Sequence, residues 1–214
     1  MKTPGGRCSN CGKEFSARGM SRHLNSCLGP GRHLHLRVFN AHNPLWWLHL
    51  SVDPAATLRD VDALLRRTWL ECCGHLSTFD IDGVTFDAEG LDLGWGDAPR
   101  PMSVKAVSVL SKGTKLRHTY DFGSSTELSG VVAGLVAGGT KEPVALLAQN
   151  NTIPWTCDAE CEAPATRVCM HCREMACADH ADPDGYCPGC DEPWEYYSLP
   201  VVNSPRMGVC GYEG

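Results

Sequence analysis

Ten cysteines and two histidines stand at spacings that suit tetrahedral metal binding. Cys8 and Cys11 form C-x2-C, as do Cys169 and Cys172, and Cys187 and Cys190; Cys157 and Cys161 form C-x3-C. Two thiolates this close in a tight turn reach one ion. The first pair is followed by His23 and Cys27 at i and i+4, which places both on one face of a helix. The later run is Cys157, Cys161, Cys169, Cys172, Cys177, His180, Cys187 and Cys190. Eight donors in four pairs serve two ions. Three Zn2+ per chain are therefore expected. Every position in the two later sites is filled by a protein ligand, whereas a catalytic zinc keeps one open for water or substrate. These sites read as structural, and no residue is assigned a catalytic role or a role in binding any other cofactor.

The wider context supports metal over disulfides. The chain has 13 cysteines, an odd number, and the polar stretch Met1–Arg7 does not read as a signal peptide. A cytoplasmic setting is expected, and thiols stay reduced there. No apolar run approaches the roughly 18 residues needed to cross a membrane. Cys72 and Cys73 are adjacent, with His75 nearby. Neighbouring cysteines suit one ion poorly, so they are expected to be buried as small hydrophobes. Cys210 lies in a tail without an acid or histidine at nucleophile spacing. His33, His35, His42, His49, His75 and His118 show no paired spacing and read as surface or core histidines. Asp121-Phe122-Gly123 matches the kinase metal-binding triplet by coincidence, since no phosphate loop accompanies it. Trp46-Trp47 reads as core packing.

Three regions must position these groups. Residues 1–31 form a small finger ending at the Gly29-Pro30-Gly31 breaker, with Phe15, Met20 and Leu24 as a miniature core. Residues 32–153 are the one part long enough to bury a core without metal. Residues 154–214 are the cysteine-rich module and its tail. In the central part, 32–39 and 45–52 alternate as strands. Thr57 then caps a helix, with Asp60 completing a capping box, and Leu58, Val61, Leu64, Leu65 and Trp69 recur at helical spacing. Asp82-Gly83 joins two short strands as a hairpin. Residues 116–122, 127–136 and 143–148 read as further strands. The order ββαββ plus extra strands implies an α+β fold similar to a β-grasp.

Three resemblances follow from these residues. The pattern Cys8, Cys11, Phe15, Met20, His23, Cys27 resembles the ββα zinc-finger family in its Cys-Cys-His-Cys form. The spacing of the last eight ligands resembles the B-box family. That likeness implies a cross-brace, with Cys157, Cys161, Cys177 and His180 on one ion and Cys169, Cys172, Cys187 and Cys190 on the other. A sequential arrangement, first pair with second, is the alternative. Pro44-Leu45-Trp46-Trp47, Thr57-Leu58-Arg59-Asp60-Val61, His75 through Ile81 and Tyr120 through Ser124 resemble the plasmid pRi open-reading-frame-three-like family. That likeness implies an α+β domain of prokaryotes, often carried on mobile elements.

Charge bears on partners. Residues 1–32 carry six basic side chains and one acidic; residues 154–214 carry three basic and 11 acidic. An acidic, thiolate-bearing surface repels phosphates, which dominate nucleic-acid affinity. The chain is therefore expected to be a non-catalytic protein-interaction or adaptor protein with a protein partner. The alternative is an accessory nucleic-acid-binding protein acting through residues 1–31, where Lys13, Arg18 and Arg22 lie on or near the finger helix. A third possibility is an enzyme with an unrecognised site among the central histidines.

Overall fold

The structure is a computed structural model and describes residues 4–88, 98–138, 141–159 and 161–214. The start of the Met1–Arg7 stretch lies outside these residues. The chain divides into two compact units: residues 1–67 with 75–151, and residues 68–74 with 152–214.

The first unit is a mixed α+β structure. Its elements are β1 (Gly5–Cys8), β2 (Glu14–Ser16), α1 (Ala17–Leu28), β3 (His33–Asn40), β4 (Trp47–Val52), α2 (Leu58–Leu65), β5 (Ser77–Ile81), β6 (Val84–Asp87), β7 (Arg100–Pro101), β8 (Lys115–Tyr120), β9 (Thr126–Val136) and β10 (Val144–Asn150). They make a ten-stranded open sheet ordered β2-β1-β10-β4-β3-β9-β8-β5-β6-β7. Only β6 and β7 pair in parallel among the described strands. Strand β4, paired on both sides by β10 and β3, is buried along its whole length, His49 and Ser51 included.

Local chemistry sets the element ends. Thr57 caps α2 by accepting from the Asp60 amide, and the Asp60 carboxylate accepts from the Thr57 amide at 2.8 Å. This reciprocal pair satisfies two amides that a helix start leaves unpaired. A π-helical turn, Arg66–Leu70, extends α2 and buries Trp69 and Leu70. Asp82 and Gly83 both have positive φ, 52° and 80°, the geometry of a tight hairpin whose twist matches its strands.

The finger is built into the sheet. β1 pairs with both β2 and β10, and Met20 and Leu24 of α1 bury in one cluster with Cys8, Trp47, Val136, Leu147 and Ala148. Gly6 permits this approach, because a Cβ there would meet the Trp47 ring at 2.3 Å. Trp46 and Trp47 are both buried, and the Trp47 indole N–H donates to the Pro4 carbonyl at 3.3 Å.

The second unit holds a small antiparallel sheet of β11 (Arg167–Cys169), β12 (Met175–Ala176) and β13 (Ser198–Pro200), ordered β12-β11-β13, and a one-turn helix, α3 (Trp194–Tyr197). Its central cluster is Cys169, Ala176, Cys187 and Trp194. Half of that core is thiol.

Candidate metal centres

In the finger, the β1–β2 hairpin turns through Cys8 and Cys11. Gly12 (φ 72°) closes the turn by donating its amide to the Cys8 carbonyl at 2.9 Å. Ser16 caps α1, accepting from the Gly19 amide at 3.2 Å. The helix then presents His23 and Cys27 one turn apart. Cys11 Sγ lies 3.2 Å from His23 Nε2, and Cys27 Sγ accepts from the Asn10 side-chain amide at 3.2 Å. Phe15 stacks on the His23 ring at 4.0 Å and fixes its orientation. All four donor atoms lie within 4.8 Å of one another. Burial pushes the Cys8 thiol up, while the Lys13 amide draws the exposed Cys11 thiol down.

The eight C-terminal donors form two interleaved groups: Cys157, Cys161, Cys177 and His180 in one, and Cys169, Cys172, Cys187 and Cys190 in the other. The tight turns repeat the finger's geometry. The Arg173 amide donates to the Cys169 carbonyl at 3.0 Å, and the Asp191 amide to the Cys187 carbonyl at 2.8 Å. Cys161 Sγ is 3.8 Å from Cys177 Sγ; Cys169 is 3.6 Å from Cys190 and Cys172 is 3.5 Å from Cys187. The His180 Nδ1 is 3.5 Å from Cys157, 3.4 Å from Cys161 and 3.3 Å from Cys177.

These separations fit zinc. Ligands at about 2.3 Å for sulfur and about 2.05 Å for nitrogen, set tetrahedrally, put sulfurs about 3.8 Å apart and sulfur and nitrogen about 3.6 Å apart. A disulfide needs about 2.05 Å, and none of these cysteines is so bonded. At Cys157, burial works to raise the thiol, but amides from Cys177 and Ala159 outweigh it and bring it down to about 7. His171, inside the second knuckle, is exposed.

A fourth group gathers Cys72, Cys73 and Cys210 of the second unit. This corrects the expectation that Cys72 and Cys73 are buried as small hydrophobes: Cys72 is half-buried and Cys73 is exposed. Cys73 Sγ lies 3.5 Å from Cys72 Sγ and 3.7 Å from Cys210 Sγ. Spacing along the chain gave no sign of it, because Cys210 joins from 137 residues away. Each of the four groups can hold a metal ion such as zinc.

The central histidines pair with groups that spacing did not reveal. His35 and His49 are both buried and share a hydrogen bond, Nε2 to Nδ1, at 2.8 Å. His118 Nε2 meets Asp62 Oδ1 at 2.7 Å, Ser77 donates to the same oxygen at 2.8 Å, and Arg66 Nε donates to Asp62 Oδ2 at 2.7 Å. Burial alone would raise the Asp62 carboxyl. The hydrogen bond and charge of His118, with Ser77 and Arg66, hold it below its ordinary value. The Ser77 hydroxyl is spent on the carboxylate, so this buried set braces α2 against β5 and β8. Asp121 accepts from the Gly123 and Ser124 amides; the triplet at 121–123 is the turn that ends β8. Among the described residues, no helix is long and apolar enough to cross a membrane.

No family model matches the chain, and no curated protein matches it. Among solved structures it is similar to a protein of unknown function, MM3350, from Methanosarcina mazei Go1, at 18% identity with a TM-score of 0.44. That match covers 51% of this chain and 64% of the other.

Proposed function

We propose that this chain is a non-catalytic zinc protein whose C-terminal module docks a protein partner. Three ions are structural. One is held by Cys8, Cys11, His23 and Cys27, one by Cys157, Cys161, Cys177 and His180, and one by Cys169, Cys172, Cys187 and Cys190. The observation that carries this reading is the completeness of each set. Four protein donors converge at tetrahedral separations, which leaves no position for water or substrate. Thiolate-rich donors favour zinc over magnesium, calcium or manganese. The interleaved grouping supports the B-box-like cross-brace, and the order β3-β4-α2-β5-β6 supports a β-grasp-like centre with added strands. The link to mobile elements rests on the resemblance of the central residues to the plasmid pRi open-reading-frame-three-like family, and a cytoplasmic location rests on reduced thiols.

The protein partner is favoured by the surface of residues 154–214. They carry three basic and 11 acidic side chains, and thiolate-bound zinc adds negative charge. Tyr186 and Tyr196 stand 65% and 69% exposed there, and tyrosine is enriched where proteins dock. Affinity capture with the full chain and with a Tyr186→Ser, Tyr196→Ser variant tests this. The variant is expected to lose partners while keeping its zinc; an unchanged set of partners would count against the adaptor role.

A second reading is favoured by the finger. Arg18 and Arg22 are exposed on α1 while Met20 and Leu24 bury beneath it, so the basic face is open to phosphates. Gel shift across a salt series tests it: binding that weakens steeply with salt supports it, and no binding at low salt removes it.

A further inference from the structure

Cys72, Cys73 and Cys210 lie outside the three sites above. All three belong to the second unit, and their sulfurs lie within 4.8 Å of one another. The separations of 3.5 and 3.7 Å match the edges of the other sites. The tail is folded back to meet the 68–74 segment. Ser204 donates to the Trp69 carbonyl at 2.6 Å, and amides of Met207, Val209 and Tyr212 close successive turns onto Ser204, Arg206 and Val209.

Two further observations bear on this group. The first is backbone geometry. In the three assigned sites, the residue after the second cysteine of each close pair has positive φ: Gly12 72°, Glu162 54°, Arg173 72° and Asp191 58°. Gly74 follows Cys73 at 74° and Gly211 follows Cys210 at 68°. Cys210 itself has φ 48°, a strained value for a residue with a side chain and one that persists where surrounding structure demands it.

The second is charge. Arg206 is fully buried and donates from a guanidinium nitrogen to Cys72 Sγ at 3.4 Å. A buried cation requires negative charge nearby. Three thiolates around a divalent ion carry a net single negative charge, which Arg206 balances.

We propose that Cys72, Cys73 and Cys210 hold a fourth zinc ion, which fastens the C-terminal turn to the 68–74 segment with Arg206 as its counter-charge. Neighbouring cysteines can share an ion here because they lie in a bend, outside any helix or strand.

The test uses the full chain, purified reduced with zinc and measured by native mass spectrometry alongside alkylation mapping. Wild type is expected to carry one more equivalent than a Cys73→Ser, Cys210→Ser variant, and zinc is expected to protect Cys72, Cys73 and Cys210 from alkylation. Equal zinc content in wild type and the double variant overturns the proposal. So does ready alkylation of Cys73 and Cys210 in zinc, or an intact mass two hydrogens short from a disulfide among the three. The readout is a difference of one ion and the protection of three named thiols. It is therefore separate from the fate of the other three sites, whose loss would show as alkylation at Cys8 to Cys27 or Cys157 to Cys190.

Discussion

The His35–His49 pair gives the protein a built-in sensitivity to mild acid. The two rings share one hydrogen bond in the sheet interior, so one nitrogen donates and the other accepts. Burial first, then the Arg37 charge, lowers His35 from its ordinary 6.5 to about 4. Burial, then the charge of His35 and of Arg37, lowers His49 to about 3. Both folded values lie below the unfolded one. Between them the unfolded chain binds more protons, so this stability is complete above pH 6.5 and is lost as pH falls. At about 1.4 kcal/mol per pH unit, the 1.5 units from 6.5 to 5.0 cost about 2 kcal/mol for each ring. The pair together loses about 4 kcal/mol, a large part of the 5–15 kcal/mol typical of a domain.

The perturbation is His35→Gln with His49→Asn, which keeps an amide hydrogen bond in place and removes both titrations. Urea unfolding of both proteins is followed by circular dichroism at pH 7.5 and 5.0 with saturating zinc. Proton competition at the zinc ligands affects both proteins and cancels in the comparison. Wild type is expected to lose about 4 kcal/mol more than the variant over this interval. Parallel losses would refute the reasoning.

Other perturbations reach other parts of the structure. Asp62→Ala should destabilise the first unit by about 3 kcal/mol or more, since it removes the buried carboxylate that Arg66 and His118 share; urea midpoints at pH 7 check this. Thr57→Ala removes the helix cap and should cost about 1 kcal/mol in the same assay. Stripping zinc with excess chelator should collapse the NMR dispersion of residues 152–214, because Cys169 and Cys187 form half of that unit's central cluster. Readdition of zinc should restore it, and dispersion that survives chelation would contradict a metal-dependent core.

What was legible in the sequence was local. The knuckle spacings, the helical i, i+4 pair His23 and Cys27, the Thr57–Asp60 box and the Asp82-Gly83 turn each depend on residues within a few positions of one another. The structure contains all of them. Strand positions followed from alternation, most cleanly in 126–136, whereas 47–52 is buried on both faces, His49 and Ser51 included. Long-range partners were not legible. Nothing in residues 5–8 announces pairing with 144–150, which makes the finger a continuation of the sheet. Cys210 reaches Cys73, and His118 reaches Asp62 across 56 positions, through folding alone. The adjacency of Cys72 and Cys73 pointed to burial because alternate residues diverge in regular structure; the bend they occupy removes that constraint. Cross-brace and sequential pairing use the same eight ligands, so spacing could not choose between them.

Zinc occupancy mapped thiol by thiol is the most direct measurement of all. Native mass spectrometry of the reduced full chain should show at least three bound zinc ions. Cys8, Cys11, Cys27 and the seven cysteines from Cys157 to Cys190 should resist alkylation until a chelator is added. Fewer than three ions, with those ten thiols reacting freely under native conditions, would contradict it.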